Sequence, residues 1–298
     1  MSKSVNDTMT AKNLQQVRIG DAIMRAVVKI GVYAFLGAMA LMVLFPFYWM
    51  LISSVKDLAE YRRNIPTFFP EVIHFENYLQ AFTDANLGTL FKNTMYVGIV
   101  STLLSLVITV LCAFAFARLE FKGKNLMFTL MLATMMIPGE LFTITNYQTV
   151  NQLGWMKTYT VLIVPFLVSV FYIYLLKQNF MQIPNELYLA AKVDGTSDLK
   201  YLIKVMVPLS LPTLISITLL KMMGAWNSYV WPRLVANDDA HKMVTNGLRG
   251  TAFQAADGMT NFPVQMAAVA IVSAPLFLVF IFLRKYIMAG VSRSGIKG

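Results

Sequence analysis

The sequence predicts an all-α polytopic membrane protein with six transmembrane helices and a cytoplasmic helix-turn-helix loop between the fourth and fifth. Of its 298 residues, 57% are hydrophobic and only 13% are charged, a balance well outside that of a soluble domain. The apolar residues also occur in blocks of about 20, the length at which a helix crosses the hydrocarbon core. Backbone groups in lipid must be hydrogen-bonded internally, and the blocks lack the alternating pattern of barrel strands, so each is predicted to be a helix.

The six blocks define the predicted domain organisation. They cover roughly residues 27–54, 90–116, 126–147, 159–179, 208–230 and 263–283. A six-helix transmembrane domain is therefore predicted over 27–289, between an N-terminal segment, 1–26, and a C-terminal tail, 290–298. The first block is too long for a signal peptide and lacks a small-residue cleavage site, which predicts an uncleaved first span.

The distribution of Lys and Arg predicts the orientation, because basic residues are retained on the cytoplasmic side. With both termini in the cytoplasm, sixteen of the 25 basic residues lie inside and eight outside, the latter accompanied by nine carboxylates. The net charge of +10 is thus a topology signal, and no soluble segment has the basic and aromatic stripe of a nucleic-acid-binding protein.

The chain lacks the residue sets of an enzyme. Its two histidines, His74 and His241, are far apart, and no HExxH, GxSxG or paired Cys/His metal pattern occurs. We therefore predict no catalytic residues and no metal site. A GxxxxGK[ST] loop is also missing, so ATP hydrolysis requires another polypeptide. Glu140 is the nearest carboxylate to a span interior, whereas a secondary carrier usually holds its coupling ion on an intramembrane acid.

A polar, glycine-containing stretch interrupts the apolar pattern between the fourth and fifth blocks. It reads IPNELYLAAKVDGTSDLKYLIKVMVPLSLP and predicts a short helix opened by Pro184, a turn at Gly195 and a second helix running into Pro208. One helix face is expected to hold Ile183, Leu187, Ala190, Ala191 and Asp194, and the other Asn185, Leu189 and Lys192. From its chemistry alone, this loop (183–207) is either a docking site for a cytoplasmic partner or an interfacial helix on lipid.

The same stretch resembles the EAA loop of ABC-importer permeases, a family in which this loop inserts as a coupling helix into a cleft of the ATPase. The matching positions are Ala190, Ala191, Asp194 and Gly195, and the resemblance implies that they contact the ATPase. Leu189 stands where the family usually has a glutamate, so an apolar contact is expected there. Glu186 matches an earlier acidic position.

Four further segments resemble the smaller permease of carbohydrate ABC importers of the maltose and glycerol-phosphate type. They are FKNTMYVGIVSTLLSLVITVLCAFAFARLEFKGK, MMIPGELFTITNYQTVNQLGWMKTYTVLIVP, GAWNSYVWP and the terminal GIKG. The resemblance implies a bacterial inner-membrane subunit, embedded in lipid, that pairs with a second permease and two ATPase subunits and receives sugar from an extracytoplasmic binding protein. It also implies no cofactor on this chain, with ATP and magnesium on the ATPase.

Four residues of the fifth block are candidates for the translocation path: Lys221, Trp226, Asn227 and Tyr229. An amine at the depth of Lys221 costs about 2.5–3.5 kcal/mol and should face a cavity or a partner. It either favours an anionic, uronate-bearing sugar or pairs structurally with the companion permease or a helix carbonyl. The aromatic residues either stack on sugars or belong to the interfacial belt.

The outer loop, 232–262, corresponds by resemblance to the loop that reaches into the binding protein. Gly247, Gly250 and Gly258 are expected to make it pliable. The sequence thus predicts a permease subunit of an ATP-driven oligosaccharide importer. The alternatives are a stand-alone channel or secondary carrier for small polar solutes and, disfavoured by the missing catalytic sets, a membrane enzyme of lipid metabolism.

Overall fold

The computed structural model describes residues 2–248 and 252–292, and the side chains of residues 24–248 and 252–282 within them. In those ranges every regular element is helical, apart from one isolated antiparallel bridge between Gln254 and Thr260. Three helices are long and apolar enough to span a membrane alone: α1 (Ser2–Ser53), α4 (Leu87–Arg118) and α15 (Phe262–Ser292). The predicted all-α membrane fold is confirmed.

Shorter helices make up the rest of the fold. In chain order they are α2 (Leu58–Tyr61), α3 (Glu76–Asp84), α5 (Lys124–Thr134), α6 (Thr143–Gln152), α7 (Tyr159–Ile163), α8 (Val170–Met181), α9 (Asn185–Val193), α10 (Asp198–Tyr201), α11 (Val207–Leu209), α12 (Leu211–Trp226), α13 (Val230–Val235) and α14 (Val244–Gly247). The 3-10 turns Gly139–Phe142 and Val164–Phe166 precede α6 and follow α7, and a π-helical turn, Leu202–Met206, joins α10 to α11.

The third, fourth and fifth predicted spans are bent helix pairs, which corrects the expectation of continuous helices. The axes of the two parts differ by 83° in the third, 45° in the fourth and 81° in the fifth. Proline lies at or beside each break, as Pro138, Pro165 and Pro208. Proline lacks an N–H and clashes with the preceding turn, so a helix ends or bends there. If each pair is one span, the chain has up to six.

Helix α4 is the centre of the packing. It contacts α3, α7, α8, α12 and α14, and its buried face carries small residues near every fourth position: Thr94, Gly98, Ser101, Ser105 and Thr109. Small side chains let neighbouring helix backbones approach closely, which is how helices associate where lipid removes the hydrophobic driving force.

In contrast, α1 is almost uncovered within the chain. None of its most apolar 18-residue window is buried, and Leu41, for example, is 72% exposed. It meets α15 through Phe47 and Phe277, whose rings are 5.4 Å apart. The first span therefore offers most of its surface to lipid or to another chain.

Candidate functional site: an exposed two-helix loop and a cavity beside a bent span

The turn between α9 and α10 is a complete Schellman motif, which explains the Asp-Gly pair. Gly195 has the left-handed conformation, with φ +69°. Its N–H donates to the carbonyl of Lys192 at 3.0 Å, and the N–H of Thr196 donates to that of Ala191 at 2.8 Å. These two bonds satisfy carbonyls that the helix end would leave unpaired. The predicted turn at Gly195 is confirmed, while Pro184 lies one residue before the helix, at the N-cap.

The two helices of the loop are also tied together by side chains. The Tyr188 hydroxyl donates to Asp198 Oδ1 at 2.7 Å, and Lys192 Nζ lies 2.6 Å from the same oxygen. This hydrogen bond with Asp198 raises the pKa of the Lys192 ammonium. The turn is thus held by backbone hydrogen bonds and by side-chain contacts between the two helices.

The predicted faces of α9 are partly wrong. Tyr188 and Ala191 pack inward, against a cluster that includes Phe114 and Phe180, whereas Leu187 is 44% exposed. The reason is that α9 packs through a pair of residues three apart, so its contact strip is narrower than the apolar pattern suggested.

The remaining candidate positions of the loop face outward. No residue of α9 is buried, and Glu186, Ala190, Asp194 and Gly195 are exposed. The apolar side chains of Leu189 and Val193 are 56% and 88% exposed. The loop therefore presents a firm surface with apolar side chains that this chain does not cover.

Arg118, at the end of α4, is a site residue that the sequence reasoning missed. Its Nη2 donates to the carbonyl oxygens of Phe180, at 3.0 Å, and Ile183. These carbonyls lie on either side of the junction between α8 and α9. A basic residue in the last turn of a predicted helix was visible in the sequence, but its partners, more than 60 residues away, were not.

A cavity of about 430 Å³ lies between α4 and the bent fourth and fifth spans. Its wall combines hydroxyl, aromatic and basic side chains with apolar ones: Val97, Ser101, Leu162, Pro165, Phe166, Val168, Ser169, Tyr172, Lys221, Ser228, Trp231, Pro232 and Met243, with Gly224 and Ala225. Hydroxyl and aromatic groups suit a polar organic ligand.

Two side chains on this wall satisfy the backbone at the break in the fourth span. Pro165 has no N–H, so the carbonyl of Val161 lacks its usual helical donor; the indole Nε1 of Trp231 donates to it at 2.9 Å. Lys221 Nζ donates to the carbonyl of Phe166. The sequence left two roles for Lys221, binding of an anionic sugar and a structural contact. The structural contact with a helix carbonyl is present, and the amine also lies on the cavity wall.

The structure does not place the four candidate path residues in one site. Trp226 is 4% exposed and packs beside Phe91, with ring centroids 5.7 Å apart. Asn227 is exposed just after α12, and the Tyr229 hydroxyl accepts a hydrogen bond from Arg233 at 2.6 Å. Only Lys221 of the four lines the cavity, where Ser228 and Trp231, from the same motif, join it.

The loop that follows α13 is hydrogen-bonded to α4 where the two cross. Asn93 donates to the carbonyls of Ala240 and Lys242, at 2.9 and 3.0 Å. A Cβ on Gly247 would lie 2.0 Å from Leu90 Cδ1, so the side chain of Leu90 packs directly against this glycine. Gly258 does occupy a turn with φ +77°. Gly250, like the terminal GIKG, lies outside the described residues.

Among the described residues, no group of three or more His, Cys, Asp and Glu side chains could hold a metal ion. The features that stand out are bent helices around a cavity, an exposed loop braced from within, and spans left open to neighbours. Non-regular backbone at the depth of the spans occurs where it lines a cavity or is buried in protein, and this arrangement is typical of a transport subunit.

Comparison with known proteins identifies the subunit. Residues 105–293 match the family model described as binding-protein-dependent transport system inner membrane component, and the chain belongs to this family. The arabinooligosaccharides transport system permease protein AraQ of Halalkalibacterium halodurans is 30% identical over 262 residues, 87% of this chain and 93% of the relative. The chain is a membrane permease subunit and not an enzyme.

Two other relatives and one solved structure agree. The trehalose/maltose transport system permease protein MalG of Thermococcus litoralis is 30% identical over 87% of this chain and 94% of the relative. The diacetylchitobiose uptake system permease protein NgcG of Streptomyces coelicolor is 29% identical over 88% and 86%. A bacterial ABC transporter involved in alginate import has the same fold, with a TM-score of 0.80 over 87% of this chain and 96% of that chain, at 23% identity. The resemblance to sugar ABC-importer permeases is confirmed.

Proposed function

We propose that this chain forms half of the translocation path of an ATP-driven oligosaccharide importer in a bacterial inner membrane. Its partners would be a second permease, two ATPase subunits that hold ATP and magnesium, and an extracytoplasmic sugar-binding protein. The relatives named for arabinooligosaccharides, diacetylchitobiose and trehalose/maltose support a short sugar chain as the substrate. We expect this chain to bind no cofactor of its own.

The observation that carries the proposal is the rigid, uncovered surface of α9. Its Schellman turn, its bond network to Asp198 and the Arg118 contacts make it a body that can transmit force. Leu189 and Val193 offer apolar area that a cleft in the ATPase would remove from water. We assign the ATPase contact to the outward-facing Glu186, Leu189, Ala190, Asp194 and Gly195. The sixth candidate, Ala191, packs inward and supports this surface from behind.

The same assignment requires α9 to lie in the cytoplasm, and with it both termini. Sixteen basic residues belong to the segments on that side, in agreement with the retention of Lys and Arg at the cytoplasmic face. Lys177, stacked 3.8 Å above the ring of Phe128 near the end of α8, is one of them.

A bulky side chain at Ala190 tests the docking surface. Ala190 is exposed, so an Ala190→Trp substitution leaves the packing of this chain intact and obstructs the partner. We expect the ATPase to be lost from the importer purified through this chain, and uptake to fall at least about tenfold, a coupling loss near 1.4 kcal/mol. Glu120→Trp, at another strongly exposed position outside the loop, is the control.

Unchanged co-purification and uptake in Ala190→Trp would contradict the docking assignment. Uptake into vesicles that contain this chain without any ATPase would instead support the alternative function, a stand-alone channel or secondary carrier. Nucleotide dependence in the complete importer separates these outcomes, because a channel or ion-driven carrier transports without ATP.

A second candidate substrate class, an acidic oligosaccharide, is favoured by one feature, the amine of Lys221 on the cavity wall. A uronate carboxylate entering the cavity could replace the Phe166 carbonyl as the partner of that amine. Lys221→Met keeps an unbranched side chain, one atom shorter, and removes the charge. We expect uptake of a uronate-bearing oligosaccharide to fall more than uptake of a neutral one; equal losses would assign Lys221 to the bend alone.

A further inference from the structure

The segment between α2 and α3 carries an apolar surface that the rest of the chain leaves uncovered. Among residues 65–75, here named the 65–75 loop, six large apolar side chains are exposed: Ile65 by 83%, Phe69 by 76%, Phe75 by 70%, Val72 by 61%, Phe68 by 59% and Ile73 by 56%. Such a concentration on one short loop indicates an interaction surface rather than scattered exposure.

Buried polar groups hold this loop in place from behind. Lys56, 2% exposed, donates to the carbonyl of Thr67, and Glu60, 5% exposed, accepts from the Thr67 hydroxyl and from the N–H of Glu71 at 3.2 Å. The N–H of His74 donates to the carbonyl of Val55 at 2.8 Å. These hydrogen bonds lie on the side of the loop that faces the rest of the chain, so the apolar side chains of the loop face outward.

The loop also folds back along the first span. The Tyr48 hydroxyl donates to the carbonyl of Phe68, and the rings of Phe68 and Trp49 are 6.2 Å apart. Tyr48 and Trp49 precede the end of α1 at Ser53 by four to five residues, or about 6–8 Å along the helix axis. Helical side chains also point toward the N-terminus of their helix, so the contact with the loop lies still farther from the end of α1. The apolar loop therefore lies beside the membrane end of the span and not above it.

We propose that the 65–75 loop is a lipid-binding element, inserted at the interface of the leaflet on the side opposite α9. Tyr and Trp on a span favour the depth of the headgroups, and the loop is held at the level of such a pair. Its apolar surface continues that of Leu44 and Phe45, 59% and 50% exposed on the same span. At its rim, the Arg63–Glu71 pair provides the charged edge of an interfacial segment.

The inference follows from the geometry of the first span and does not depend on the transported substrate. Lipid binding by the 65–75 loop would fix the depth of α1, whose own packing inside the chain is slight. The other possible occupant of this surface is the companion permease, which the experiment must separate from lipid.

Nitroxide accessibility distinguishes the occupants. Cys112 is the only cysteine and is replaced by serine; a Phe69→Cys substitution then carries the spin label in the complete importer, reconstituted in phosphatidylethanolamine and phosphatidylglycerol vesicles. Leu41→Cys, in the span, and Asp239→Cys, with a side chain 97% exposed, are the lipid and water references. Power saturation is measured with oxygen, which enters lipid, and with a water-soluble nickel chelate.

For Phe69→Cys we expect high oxygen accessibility and a nickel accessibility at least about threefold below that of Asp239→Cys. High nickel accessibility would show a loop in water and overturn the proposal. Low accessibility to both reagents in the importer would assign the surface to a protein partner and overturn it equally. Neither result bears on whether the chain transports sugar, which uptake by the same labelled importer reports separately.

Discussion

At the scale of single residues, the bend in the fourth span shows how side chains replace backbone bonds. Pro165 deprives the Val161 carbonyl of its helical partner, and Trp231 supplies an indole N–H from a different element. A buried carbonyl without a donor is costly, so this contact fixes α13 against the bend. The same tryptophan lines the cavity, which makes the shape of the cavity dependent on the bend.

Replacing Trp231 with Phe tests this contact. The substitution keeps an aromatic ring and removes the N–H, so we expect a loss of about 1–3 kcal/mol from the unpaired carbonyl. Thermal unfolding of the detergent-purified chain measures it. Trp226→Phe is a matched control, because the Trp226 indole nitrogen is buried without a hydrogen-bond partner among the described residues. Equal destabilisation by the two substitutions would show that ring volume, and not the hydrogen bond, matters.

At the scale of helices, Arg118 connects three of them. It ends α4, and its guanidinium binds carbonyls at the end of α8 and just before α9. The cation also lies where the C-terminal carbonyls of α8 concentrate negative potential. Arg118 therefore links the segment that leads into α9 to the central helix α4 by hydrogen bonds, and Tyr188 adds packing against the cluster that includes Phe114.

The prediction for Arg118→Met is a loss of coupling. If the importer functions as proposed, we expect the ATPase to remain bound but the sugar transported per ATP hydrolysed to fall about tenfold, the effect of losing about 1.4 kcal/mol of coupling. The measurement uses proteoliposomes of the complete importer. Lys124→Met is the control, since Lys124 caps the nearby Leu119 carbonyl without touching α9. A drop in assembled importer with an unchanged ratio would mean that Arg118 only stabilises the fold.

At the scale of the whole molecule, one ion pair joins parts of the chain 195 residues apart. Arg62, just after α2, binds Asp257 in the segment that leads into α15. The pKa of the Asp257 carboxyl is lowered from its ordinary 3.8, mainly by the hydrogen bond from Arg62. Because the folded-state pKa is lowered, the stabilisation is present above the ordinary value and is lost as pH falls through the folded value.

We therefore expect hydrogen exchange in residues 252–261 to accelerate beyond the intrinsic effect of pH as the pH falls from above 3.8 through the lowered pKa of Asp257. Asp257→Asn should show the faster exchange already at the higher pH and lose the dependence. Residues of α4, which do not contact this pair, provide the internal reference. A wild-type profile that follows the intrinsic rate throughout would contradict the prediction.

The membrane-spanning blocks and the turn at Gly195 could be predicted because each depends on local sequence. Apolar length determines whether a helix can cross lipid, and only a residue tolerant of positive φ suits the Schellman turn. The bends in the third, fourth and fifth spans could not be predicted from Pro138, Pro165 and Pro208 alone. A proline can interrupt a helix or be tolerated within it. Trp226 is a path candidate from sequence because aromatic rings stack on sugars, but its ring is buried and packs beside Phe91.

The sequence by itself determined the helical class, the number of apolar blocks, the loop between the fourth and fifth, and the family. Only the tertiary structure decided which side chains meet: Arg118 with Ile183, Trp231 with Val161, Lys221 with Phe166, and the 65–75 loop with the first span. The physical reason is range. Burial in lipid and turn geometry act on consecutive residues, while a hydrogen bond to a freed carbonyl depends on which distant segment the packing brings within 3 Å.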